Sequence, residues 1–166
     1  MEIAIREATE GDYRALCEVI EQVDKLHRDN LPGRFKTAEG PARSQDFILN
    51  AIRSRDIGLF VAASEGQLVG LVHVIMRDVP DIPILVPRRC GVVDNLAVRK
   101  SVRRAGVGRA LMARAEAWAV ARGATAMELT VYAFNQVAKR FYRRLGYEVL
   151  SYRMTKSLEI TDPGMG

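Results

Sequence analysis

The chain has 166 residues, 48% of them hydrophobic and 27% charged, which fits one folded domain and excludes a disordered, collagen-like or coiled-coil chain. No apolar run approaches the roughly 20 residues that span a bilayer, and Glu2, Glu7 and Glu10 interrupt the region where a signal peptide holds its apolar stretch, so a cytoplasmic protein with no membrane contact is expected. A formal net charge of +5 favours an anionic partner: nucleic acid, a phosphorylated cofactor or an acidic protein.

Ile3 and Ile5 alternate as in a strand, and Thr9 with Asp12 reads as a helix cap and its acidic partner. Tyr13, Leu16, Cys17, Ile20, Val23 and His27 recur every three or four residues, predicting a helix to about residue 28 with one apolar face. Residues 29–43 are rich in Pro, Gly and charge and read as a surface loop before a short helix over about 44–54. Ile57–Ala63 and Leu68–Met76, joined across Glu65-Gly66-Gln67, predict a β-hairpin. Three prolines (Pro80, Pro83, Pro87) make Arg77–Arg89 an irregular excursion.

Valine-rich Gly91–Val98 reads as a buried strand, and a helix with Leu111, Ala115, Trp118 and Ala119 inward runs to Gly123. A strand (Met127–Tyr132), a helix (Asn135–Leu145) and a last strand (Tyr147–Met154) follow. The order predicts a mixed α/β sheet with a parallel crossover between the Val92 and Met127 strands. One domain over residues 1–158 is expected, with a loose tail at 159–166. Cys17 and Cys90 form no C-x-x-C pattern and stand in no metal-ligand spacing with His27 or His73, so two reduced thiols and no metal site are expected.

The segment VVDNLAVRKSVRRAGVGRALM runs a strand into an arginine-rich loop, two glycines and a helix start. Unpaired amides and the positive end of the helix dipole favour an anion there, and glycine lets backbone approach a diphosphate. No G-x-x-x-x-G-K-[ST] occurs, and the dinucleotide pattern G-x-G-x-x-G fails at Leu111.

Arg103-Arg104-Ala105-Gly106-Val107-Gly108 resembles the R/Q-x-x-G-x-G/A signature of the GNAT superfamily of N-acetyltransferases, preceded by NLAV as in that family. The later AFNQVAKRFYRRLGY resembles a second hallmark of the same family through Asn135, Ala138, Tyr142, Gly146 and Tyr147. The resemblance implies a mixed, mostly antiparallel sheet of six or seven strands, flanked by about four helices, with a splayed central strand pair. It implies acetyl transfer from acetyl-CoA, as cosubstrate, to a primary amine by direct attack in a ternary complex.

On that resemblance, backbone groups of Leu96, Ala97 and Val98 pair with the pantetheine amides along an open sheet edge, and the pyrophosphate sits on the loop from Arg103 and Arg104 through Ala105, Gly106, Val107, Gly108 and Arg109. Asn135 would bind the cofactor arm, and Tyr142 would donate a hydrogen bond to the leaving sulfur. Some relatives, including ribosomal-protein N-terminal acetyltransferases, carry a Glu where this chain has Thr130. The base therefore stays open among Asp94, named first, then Glu128, His73 and an ordered water.

His27 and His73 are candidate substrate contacts, with a structural role as the alternative for each. The acceptor is a small-molecule or peptide amine, and a homodimer stays open. The competing functions are a coenzyme A-binding sensor or structural module without turnover, and a nucleic-acid binder. Against the second, the basic residues cluster at one loop instead of alternating with exposed aromatics.

Overall fold

A computed structural model describes residues 2–158; the expected loose tail at 159–166 lies outside the described residues. The chain divides into two compact units, Met1–Phe134 and Asn135–Gly166. Among the described residues no helix is long and apolar enough to cross a membrane.

The first unit holds one five-stranded sheet in the order β1 (Ala4–Glu7), β2 (Ile57–Ser64), β3 (Gln67–Asp78), β4 (Arg89–Val98), β5 (Ala126–Leu129). The first three pairings are antiparallel and β4–β5 is parallel, as the crossover through α3 (Val107–Val120) requires. Helices α1 (Tyr13–Asn30) and α2 (Gln45–Arg53) precede β2.

Local chemistry sets these boundaries. The Asp12 carboxylate accepts the Thr9 N–H (2.8 Å) and hydroxyl (3.0 Å), opening a 3-10 turn at Glu10–Asp12 that leads into α1. Ser44 Oγ accepts the Phe47 N–H (3.1 Å) and caps α2. Between β2 and β3, Ser64 faces Gln67 across Glu65 (φ 50°) and Gly66 (φ 75°), the left-handed pair of a two-residue hairpin turn.

Side-chain alternation divides the core. Leu16, Val19 and Ile20 of α1 and Ile48 and Ala51 of α2 pack with Leu59, Val61, Leu71 and Ala97 of the sheet. α3 packs on β2, β3 and β4 and buries Val107, Leu111, Met112, Ala115, Trp118 and Ala119, with the Trp118 ring edge-on to Phe60 at 6.1 Å. Methylene burial at about 25 cal/mol per Å2 is the main force holding helices to sheet.

Two sequence expectations are corrected. The excursion is shorter than Arg77–Arg89, because Asp78 pairs with Arg89 and Arg77 with Cys90, and the Val79 N–H donates to the Arg88 carbonyl at 2.9 Å; the prolines act only inside 79–88. The sheet has five strands, not six or seven: residues 147–158 form no strand. Leu150, Tyr152 and Met154 alternate like strand residues, yet they are 77, 86 and 90% exposed, and a strand needs a neighbour that period alone does not supply.

The second unit contains α4 (Gln136–Arg144). Its N-cap Asn135 accepts the Ala138 N–H through Oδ1 at 3.1 Å.

Candidate active site

β4 is paired unequally on its two sides. Against β3 it pairs from Arg89 to Val98, but against β5 only from Cys90 to Val93. The β5 contact stops where β4 bulges: Val93 faces Val74 and Asn95 faces His73, leaving Asp94 as an extra residue. From Asp94 to Val98, β4 has no strand on its second side among the described residues. Leu96, Ala97 and Val98 thus form an edge with no strand beside it, Ala97 itself being 2% exposed within the core.

The chain then makes a 3-10 turn at Lys100–Val102 and enters α3 through Arg104 (φ 69°) and Gly106 (φ 83°). The first α3 bond runs from Ala110 N–H to the Gly106 carbonyl at 3.0 Å, so the Val107, Gly108 and Arg109 amides have no helical acceptor. A Cβ on Gly106 would meet nothing within 4 Å; glycine is required there by conformation, not by space. Arg103, Arg104 and Arg109 are exposed around these amides, and Arg103 Nε donates to the Val98 carbonyl at 3.3 Å. Val107 is buried. Arg99 instead fixes the scaffold, bonding the Leu68 carbonyl at 2.7 Å and Glu18 at 3.0 Å.

The bulge brings Asp94 to His73. Nδ1 of His73 lies 3.2 Å from Asp94 Oδ2, which also accepts Asn95 Nδ2 at 2.8 Å. The His73 bond leads in holding the Asp94 carboxyl below its usual range; its partial burial opposes this, and Asn95 and Arg43 assist. His73 is 5% exposed, and its Nε2 is buried with no hydrogen-bond partner among the described residues. The ring lines a cavity of about 10 Å3 with Phe47, Arg43 and Asn95. Ile20 and Arg43 also line a neighbouring hollow of about 300 Å3 bordered by Glu18 and Glu21.

Glu128 is ion-paired to Arg88 at 3.0 Å. His27 stacks on Phe35 (5.2 Å between centroids) and meets Tyr132 and Phe134 edge-on at 5.3 and 5.9 Å; this burial lowers its pKa, with Asp24 opposing. Asn135 and Tyr142 share α4, seven residues and about 10 Å of rise apart. The Asn135 carbonyl oxygen is used for capping, leaving its Nδ2 as the donor. Tyr142 packs against Phe141 and Tyr147 at 5.1 and 5.7 Å, and burial pushes its phenol up to about 12.

Sequence reasoning missed Arg43, Phe47 and Asn95 beside His73. Asn95 adjoins Asp94, and regular alternation would put the two on opposite faces; no residue type in VVDNLAV announces the bulge.

The sequence model described as the acetyltransferase (GNAT) family matches residues 20–147. No curated protein sequence matches the chain. Among solved structures, a mutant of the BH1408 protein from Bacillus halodurans is 26% identical and covers 94% of this chain and 99% of its own, with a TM-score of 0.89. An aminoglycoside 6'-N-acetyltransferase from Acinetobacter haemolyticus is 17% identical, covering 95% and 99%, with a TM-score of 0.72. The structure of AAC(6')-Iy with a bisubstrate analog, CoA-S-monomethyl-acetylneamine, is 15% identical, covering 96% and 99%, with a TM-score of 0.71.

Proposed function

From the premise that this chain belongs to the GNAT acetyltransferase family, we propose that it transfers acetyl from acetyl-CoA to a primary amine by direct attack in a ternary complex. The observation that carries this is the open edge of β4 beyond Val93, followed within the same segment by the left-handed Gly106 and the free amides of α3. An open edge accepts an extended diamide arm as an added strand, and three unpaired amides at a helix start accept a pyrophosphate.

In this reading Leu96, Ala97 and Val98 hold the pantetheine arm through their backbone, and an amide near Leu96 stabilises the charge that develops on the thioester oxygen. Arg103 to Arg109, through the Ala105, Gly106, Val107 and Gly108 backbone and the arginine charges, hold the pyrophosphate. Asn135 contributes Nδ2 to the arm. Tyr142 donates its phenolic hydrogen to the departing sulfur. With a phenol at about 12 and a thiol near 8.5, complete proton transfer would be uphill by about 5 kcal/mol, so Tyr142 acts as a hydrogen-bond donor.

The acceptor amine is almost wholly protonated at neutral pH, with only about one part in a few thousand neutral, so the chain needs a proton acceptor, here assigned to the Asp94 side of the bulge. The 300 Å3 hollow offers room for a small acceptor, its Glu18 and Glu21 already paired with Arg99 and Arg28, with His27 and its aromatic neighbours shaping the loop over residues 29–43. Aminoglycosides belong in the test panel because two of the neighbours carry that substrate or its analog in their names.

Thiol release from acetyl-CoA, followed across a panel of aminoglycosides, polyamines, amino acids and peptides, tests the proposal. Amine-dependent release with a matching acetylated product is expected. Tight coenzyme A binding with no transfer to any amine would replace the enzyme with a sensor or structural module.

A further inference from the structure

We propose that Nε2 of His73 is the atom that takes the proton from the attacking amine, and that Asp94 is the positioning residue that holds the imidazole for it. This rests on the acetyltransferase reading above.

The hydrogen-bond pattern sets the tautomer. Asp94 Oδ2 already accepts from Asn95 Nδ2, and a carboxylate facing the ring at 3.2 Å requires Nδ1 to carry the hydrogen. The lone pair of the neutral ring is then on Nε2. That atom is buried and meets no partner among the described residues, an arrangement that costs free energy unless a donor visits it. An amine N–H is such a donor.

Asp94 is poorly suited to accept the proton itself. The bond from His73 holds its carboxyl below the usual carboxylate range, which makes it a weak proton acceptor. The same ionised carboxylate stabilises an imidazolium on its neighbour. The charged groups around the ring are Asp94 from β4 and Arg43 from the connection before α2, and Arg43 is itself bound to Asp24 at 2.8 Å. α1, α2 and β2 present only Ile20, Phe47, Ile48, Ala51 and Leu59 to the cavity.

Size and location agree with the role. A cavity of about 10 Å3 admits one water or one amino group and leaves the rest of an acceptor outside. Phe47, 46% exposed and edge-on to His73 at 6.1 Å, stands at its outer side. His73 adjoins Val72, the cross-strand partner of Leu96, so the ring is one rung from the backbone assigned to the thioester.

In the step, the amine nitrogen forms the C–N bond to the thioester carbon and its proton passes to Nε2. The tetrahedral intermediate then collapses, the C–S bond breaks with its electron pair on sulfur, and the thiolate takes the proton from Nε2 of His73. The products are the amide and coenzyme A thiol, with His73 neutral again.

Two measurements test this. With an amine that the unaltered chain acetylates, His73→Asn should lower kcat/KM by about 10²–10⁴-fold and leave coenzyme A affinity little changed. Near-parental kcat/KM would overturn the assignment alone; a parent that acetylates no amine overturns it together with the acetyltransferase reading. Independently of folding of the variant, long-range proton–nitrogen spectra of the unaltered chain, which has two histidines, should show the Nδ1–H tautomer for His73. In Asp94→Asn that preference should weaken. A dominant Nε2–H tautomer in the unaltered chain would remove the acceptor lone pair and overturn the proposal.

Discussion

Gly70 of β3 lies so close to Ala97 of β4 that a Cβ on Gly70 would stand 2.9 Å from the Ala97 carbonyl oxygen. The same atom would press on Leu111 Cδ1 at 3.1 Å and Val107 Cγ1 at 3.3 Å. One glycine therefore sets the spacing of both the open edge and the first turn of α3. Gly70→Ala should destabilise the fold by about 1–3 kcal/mol through overpacking and weaken coenzyme A binding at the same time. Denaturant melts with calorimetry check this, and a variant with parental stability would contradict the packing described.

Gly106→Val should act differently. Its Cβ has open space, but a β-branched residue at φ 83° carries a penalty of about 1–2 kcal/mol that a shift of the turn relieves, redirecting the Val107–Arg109 amides. Coenzyme A affinity should fall at least about tenfold with little change in melting temperature. Calorimetric titration reads it, and parental affinity would detach the turn from the pyrophosphate.

Tyr142→Phe should lower kcat about 10²-fold or more while coenzyme A affinity changes little. Because burial pushes the phenol up to about 12, the parent should show no loss of rate from its ionisation below about pH 10. Equal losses in kcat and in coenzyme A affinity would make Tyr142 a binding group and not the donor to sulfur.

Acid should expose the cap of the first helical segment. Arg6 grips both Asp12 oxygens at 2.7 and 2.8 Å, and chiefly for that reason the Asp12 carboxyl falls from 3.8 to about 2. A folded-state value below the unfolded one stabilises fully above pH 3.8 and is lost as pH falls through about 2. With Arg6 44% exposed, the contribution is about 1–2 kcal/mol. Asp12→Asn should cost that much near pH 6 and much less near pH 2.5; urea melts at both values that show one constant gap would sink the linkage.

What could be read from the residues follows from the range of the interactions. Gly106, Gly108, Asn135 and Tyr142 sit in local motifs whose spacing carries their meaning, and the hairpin at Glu65-Gly66 announces itself through turn chemistry. The His73–Asp94 pair does not, because it joins residues 21 apart through a one-residue register shift that nothing in VVDNLAV marks. The cluster of Phe35, Tyr132 and Phe134 around His27 is likewise invisible in the sequence, since its four rings come from three separate segments. Tyr147–Met154 fails for the opposite reason: its local pattern is that of a strand, but pairing is not a local property. Asp78 and Arg89 read as part of the proline-rich excursion because the prolines lie close by, but the ladder holds them.

The bulge leaves β4 one residue longer than its ladder uses. Since Val93 meets Val74 and Asn95 meets His73, excising Asp94 would close two rungs that are already consecutive, and every other β4 side chain would keep its face. The carboxylate is thus a spliced-in addition to an otherwise regular scaffold, and a single deleted codon would part the chemistry from the architecture.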